Sequence, residues 1–216
     1  MDRKRASAGF GDAMQAVIAK LTGSRLFWVA FVAVLFALPI GRSLARTLPP
    51  APPTLGQVAP FELQDQYGHV VGTQQLVGHI WVVAQIPPEG AITHDLAIET
   101  VRTIIHRTKN LGTVFHMVTL PEDDGSTSPE PARRALVEKY CSSSQLWSDL
   151  GGSPEQVEHA KRALYDSIEL GGVGTAGAPG ALLLLDRRGA VRGAYGTDKV
   201  SIDRMMSDTS YISNLP

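Results

Sequence analysis

The chain has 216 residues and is 44% hydrophobic, enough to bury one core of ordinary size. Its formal net charge of −1 hides an asymmetry: residues 1–46 hold seven Lys or Arg against two Asp, and the remainder holds thirteen basic residues against nineteen acidic ones. A basic head on an acidic body argues against nucleic acid as the body's partner and suits a head that sits at a membrane.

The basic head occupies residues 1–25, where Phe10, Ala13, Met14, Val17, Ile18 and Leu21 fall on one helical stripe. That pattern predicts an amphipathic helix at a membrane interface. The apolar run Leu26–Gly41 follows, bracketed by Arg25 and Arg42. At about 1.5 Å per residue it covers roughly 24 Å, so snorkelling arginines must help it cross a core of about 30 Å. Arg25, Trp28, Phe31, Phe36 and Arg42 are the candidate anchor residues. The excess of positive charge before the run places the N-terminus in the cytoplasm and the body across the membrane. The competing readings are a signal peptide cleaved near Ser43-Leu44-Ala45 and a buried core helix. The long basic segment before the run and the Pro-rich stretch after it favour an uncleaved anchor. Residues 42–60, with prolines at 49, 50, 52 and 53, predict a semi-rigid tether.

The body spans residues 61–200. The segment PFELQDQYGHVVG alternates around a turn at Tyr67-Gly68 and predicts a hairpin. HIWVVAQI predicts a strand buried on both faces. A helix from Thr93, as N-cap, to about Lys109 would bury Ala97, Ile98, Val101, Ile104 and Ile105 and stop at Asn110 and Gly112. TVFHMVTL is the next strand, and Pro121 to Ser128 is a polar loop. Ser128-Pro129-Glu130 starts a helix reaching Tyr140. Ser153, Pro154 and Gln156 carry the signature of a capping box at the head of another helix. ALLLLDRRGAVRGAY predicts a strand, a tight turn at Arg188-Gly189 and a strand, with residues 201–216 left as a tail. The resulting class is α/β, with a central strand–helix–strand unit closed by a terminal hairpin, as a thioredoxin-like fold requires.

The segments PFELQDQYGHVVG, GHIWVV, MVTLPEDDGSTSPEPARRALVEKY, LWSDLGGSPEQVEHAKRAL and LLLLDRRGAVRGAYG, in this order and spacing, resemble the Sco/SenC family. The resemblance covers roughly residues 54–197 and fits the anchor and tether as well. It implies a membrane-anchored thioredoxin-like protein linked to cytochrome c oxidase assembly, binding copper through two cysteines and a histidine. The family register puts Gly90 and His94 at the cysteine positions and Ala178 at the histidine position, so all three ligand positions are changed. Soft thiolates hold Cu(I), and a dithiol is needed for disulfide exchange. The sequence therefore predicts a vacant site and no enzymatic activity.

His94 with Glu89 is the alternative metal pair, suited to zinc or Cu(II) rather than Cu(I), although a single histidine at a helix start is more often a surface group. Adjacent His116 and Met117 point to opposite faces of a strand and cannot chelate together. His69 and His79 read as loop and strand-edge residues. Cys141, the only cysteine, shares a helical face with Leu136, Val137 and Tyr140 and reads as a packed thiol. GGVGTAGAPG lacks the Gly-Lys-Ser/Thr ending of a phosphate loop, and Pro179 occupies the place where thioredoxin folds often carry a cis-proline. Asp123-Asp124 reads as a turn. Pro87, Pro88, Glu89 and Pro179 form the candidate docking face.

The expected function is that of a degenerate Sco-like accessory, assembly or structural subunit of a respiratory membrane complex, acting through protein contacts without a cofactor. The alternative is a copper chaperone with substituted ligands. The expected location is a bacterial inner membrane with the body in the periplasm, or else the mitochondrial inner membrane facing the intermembrane space.

Overall fold

The computed structural model describes residues 23–44, 51–123, 128–141, 146–166 and 181–214. The chain divides into two units, Met1–Pro50 and Ala51–Pro216. In the first, α1 (Arg25–Leu44) contains a stretch, Arg25–Arg42, of mean hydropathy 1.7 with none of it buried. This span, the one candidate among the described residues, is compatible with a membrane anchor. Phe27, Trp28 and Phe31 cluster on one side near its start, with ring centroids 5.7–6.2 Å apart. The proposed amphipathic helix before it lies outside the described residues.

The second unit runs β1 (Gly56–Gln57), β2 (Glu62–Gln64), β3 (Val70–Gly72), the single-turn α2 (Thr73–Leu76) and β4 (Ile80–Ile86). It continues with α3 (His94–Thr108), a 3-10 segment Lys109–Val114, β5 (Phe115–Pro121), α4 (Glu130–Tyr140) and β6 (Trp147–Asp149). It ends with α5 (Pro154–Tyr165), β7 (Leu182–Leu185), β8 (Ala190–Tyr195) and α6 (Lys199–Ser213). Six strands form one sheet in the order β1-β8-β7-β4-β5-β6, and β2 and β3 form the predicted hairpin apart from it. β4 pairs parallel with β5 and β5 parallel with β6; β7 runs antiparallel to β4 and β8.

Side chains alternate across the sheet and build a core on each face. Trp81, Val83, Val118, Leu120, Leu183 and Leu185 pack against the hairpin and α5. Val82, Ala84, Met117, Trp147, Leu182 and Leu184 pack against α3, α4 and α6. β4 is buried along nearly its whole length because it feeds both cores, as its continuous apolar run predicts.

The helix signals hold with one exception. Ser153 Oγ accepts from the Gln156 amide at 3.3 Å, and Gln156 Oε1 accepts from the Ser153 amide at 2.9 Å, closing the predicted capping box. Thr93 stands at the N-cap of α3 but in a helical backbone conformation, and its side chain makes no capping bond. Cys141 lies one residue beyond the end of α4, yet still packs in the same core as Val137 with only 7% exposure.

Two boundaries shift. The expected tail is α6, which buries Ile202, Met205, Thr209 and Ile212 and is capped by Asp198 Oδ1 accepting from the Val200 and Ser201 amides. The second half of the expected tether belongs to the body. Gly56–Gln57 pairs with β8, the Leu55 amide bonds the Val191 carbonyl at 2.8 Å, and Val58 is buried.

Candidate functional site

β4 delivers the chain to the corner. Ile86 is held against the end of β5 by the Glu122 amide bonding the Ile86 carbonyl at 2.9 Å. Pro87 and Pro88 stiffen the exit. The loop then tightens through bonds from the Ala91 amide to the Pro88 carbonyl and from the His94 amide to the Ala91 carbonyl, both 3.0 Å. Gly90 adopts φ of 92°, a conformation open to glycine and disfavoured for residues with a side chain. A cysteine at this position would need a different loop backbone.

His94, the first residue of α3, turns back over the loop. Its Nδ1 donates to the Pro87 carbonyl at 2.7 Å, because a carbonyl can only accept. In the neutral ring that bond fixes the tautomer and leaves Nε2 as an acceptor. Pro87, Pro88, Glu89, Gly90 and His94 all line one groove of about 590 Å³, between the corner, the end of β5 and α4. Five of the predicted positions are thus brought together. Ala178 and Pro179, the remaining two, lie outside the described residues, as does Asp124.

Three charged residues of this groove, Arg133, Lys139 and Asp149, have no site role in the sequence reading, and Asp123 is read there only as part of a turn. Asp149, at the end of β6, is 7% exposed. Its Oδ1 accepts from the Thr119 hydroxyl at 2.6 Å, and Thr119 Oγ accepts in turn from the Trp147 indole at 2.8 Å. Burial pushes the Asp149 carboxyl up to about 6, against the pull of the Thr119 bond and the Arg133 charge. Arg133 directs its N–H groups at three main-chain carbonyls: Ser128 at 3.2 Å, Gln64 at 3.0 Å and Asp149 at 2.6 Å. Lys139 is exposed at the rim. Its hydrogen bond to Tyr140 raises the ammonium pKa, with smaller contributions from the Tyr140, Asp95 and Glu89 charges. The sequence carries one signal for Asp149, an aspartate set with Ser148 between the large apolar residues Trp147 and Leu150.

The donor set does not suit Cu(I), which takes two or three soft ligands converging on one point. Cys141 and Met117 are packed in the core, and Met205 is fully buried. Among the described residues no three His, Cys, Asp or Glu side chains are placed to hold a metal ion. A second cavity, lined by Asp65, His69, His79, His116 and Ser148, lies at the opposite end of the strands. Its histidines are engaged locally: His69 with Asp65, His79 with the Thr113 carbonyl and His116 with Ser148.

No protein-family model and no curated protein matches the chain. Solved structures do. BsSco, a member of the Sco family of cytochrome c oxidase assembly proteins, aligns with TM-score 0.62 at 18% identity, over 77% of this chain and 99% of that one. A SCO1/SenC family lipoprotein from Bacillus anthracis gives 0.60 at 18% identity, over 75% and 98%. Yeast Sco1 with copper bound gives 0.52 at 15% identity, over 76% and 96%. The body of this chain has the thioredoxin-like fold of the Sco-family structures.

Proposed function

We propose that this protein is a membrane-anchored, degenerate Sco-like factor that serves a respiratory membrane complex, in the setting of cytochrome c oxidase, through protein contacts. The observation that carries the reading is the corner itself. A groove is kept between Pro87-Pro88, His94 and α4, while Gly90 has a backbone unsuited to cysteine and the one thiol of the chain is buried elsewhere. Ile92 is fully exposed and Leu96 largely so beside the groove, giving a partner apolar points of contact. The apolar α1 supports a single-span anchor in a bacterial inner membrane with a periplasmic body, or in the mitochondrial equivalent. No enzymatic step is assigned.

The test is recovery of the full chain in mild detergent together with a respiratory complex. Glu89→Lys or paired Pro87→Ala and Pro88→Ala changes should reduce that recovery severalfold. Unchanged recovery would remove the corner from the interface.

The second reading, a copper chaperone with substituted ligands, is favoured by one feature: Nε2 of His94 is left as an acceptor at the groove. Stoichiometric, tight Cu(I) binding that His94→Ala abolishes would establish it over the first. The expected result is Cu(I) binding no tighter than that of a generic single-thiol protein.

A further inference from the structure

We propose that the groove is a lysine-binding site, in which Asp149 accepts the ammonium of a lysine presented by the partner. The proposal rests on the docking reading above and names the chemistry that the partner brings. Its first support is the open oxygen. Asp149 is nine-tenths buried and lines the groove, yet only Oδ1 receives a donor, and no donor reaches Oδ2 among the described residues. A largely buried carboxylate whose second oxygen is reached by no protein donor is a position where an incoming N–H gains a charge-assisted bond.

The second support is charge. Glu89, Asp95, Asp123 and Asp149 line the groove against two cations, Arg133 and Lys139. Arg133 is already committed to main-chain carbonyls and approaches Asp149 through the backbone oxygen, with no ion pair to its carboxylate. The excess of carboxylates favours a cationic guest. Ile86 and Leu136 on the walls suit a methylene stem, and the single open oxygen suits a point-like ammonium.

The relay from Trp147 through Thr119 to Asp149 supplies a reporter inside the intact protein. The chain has three tryptophans, so the full-length protein in detergent micelles, labelled with ¹⁵N at tryptophan, gives three indole signals. The probe is a capped pentapeptide with one central lysine among alanines, compared with its norleucine counterpart. The lysine peptide should shift the Trp147 indole and leave Trp81, on the opposite face of the sheet, in place. The norleucine peptide should bind at least tenfold more weakly. Asp149→Asn should weaken the lysine peptide at least tenfold and abolish the Trp147 shift. Lys139→Gln, at an exposed position, should strengthen binding two- to fivefold, and it decides the matter together with the peptide pair should Asp149→Asn fail to fold. Equal binding of the two peptides, or a Trp147 shift that survives in Asp149→Asn, overturns the proposal. If corner variants lose the complex while the lysine peptide leaves Trp147 unmoved, docking stands and the lysine site falls. If the lysine peptide binds through Asp149 while no corner variant alters recovery, the lysine site stands and docking falls.

Discussion

Asp149 and Asp186 are buried to nearly the same degree, at 7% and 5% exposure, yet they do different things. Asp186, in the turn between β7 and β8, has both oxygens filled. Oδ1 accepts from the Arg188 and Ala190 amides at 2.8 and 3.0 Å, and Oδ2 takes the Arg192 guanidinium at 2.7 Å. Asp149 receives one hydroxyl. Burial alone does not tell a structural carboxylate from a functional one; the number of donors around it does. Asp186 organises a tight turn, while Asp149 holds charge in readiness at the wall of a groove.

Removing the filled carboxylate should have the largest effect. Asp186→Ala leaves Arg192 without its partner and strips the turn of two bonds, so it should destabilise the body by about 3–5 kcal/mol. A denaturant titration showing a loss below about 1 kcal/mol would break the comparison.

Asp149→Asn should act in the opposite direction. The folded pKa of about 6 lies above the ordinary value of 3.8, so the folded state holds its proton more tightly than the unfolded one. Stability from this group is complete below the unfolded pKa and is lost as pH rises from about 4 through 6. At about 1.4 kcal/mol per unit, the ionised carboxylate costs about 3 kcal/mol above pH 7. The asparagine variant should therefore be more stable than the parent by up to that amount at pH 7.5, and should lose the advantage near pH 3.5. A gain that does not depend on pH would show that the buried charge is not the cause.

Two helix starts carry the contrast to a smaller scale. Ser153→Ala removes a made capping bond and should cost about 1 kcal/mol, whereas Thr93→Ala removes none and should cost only a few tenths. Equal losses would mean that Thr93 caps after all. Smallest of all, His94→Ala should leave both the thermal midpoint and recovery of the partner nearly unchanged, since its side chain makes a single bond, to the part-buried Pro87 carbonyl. Loss of partner recovery and of metal binding together would transfer the function to His94.

Much of this was legible because it is written in local patterns. β4 is a continuous apolar run, α5 opens with a capping box, and both hairpins carry glycine at their turns. What was not legible depends on distant partners. β6 is three residues, Trp-Ser-Asp, with no strand pattern of its own, and exists because Met117 to Thr119 of β5 pair with it. β1 sits in a Pro-rich stretch and is a strand only through Val191 and Ala190. α6 mixes its apolar residues with Ser, Thr and Asp, which blurs its buried stripe in the sequence. The corner residues were found from their order along the chain. Asp149, Arg133 and Lys139 reach the same groove from β6 and α4, a convergence that no spacing in the sequence announces.

The two outermost strands of the main sheet are its shortest, with two residues in β1 and three in β6. An edge that short presents too few free amides and carbonyls to template the strand of a neighbouring chain. Beyond β6, the Gln64 and Gly151 main chains bond each other in both directions, at 2.9 and 2.8 Å, closing much of what remains. A long open sheet edge exposes a protein to edge-to-edge aggregation. This sheet meets that hazard by ending early on both sides, which disfavours strand addition as a way of joining another chain.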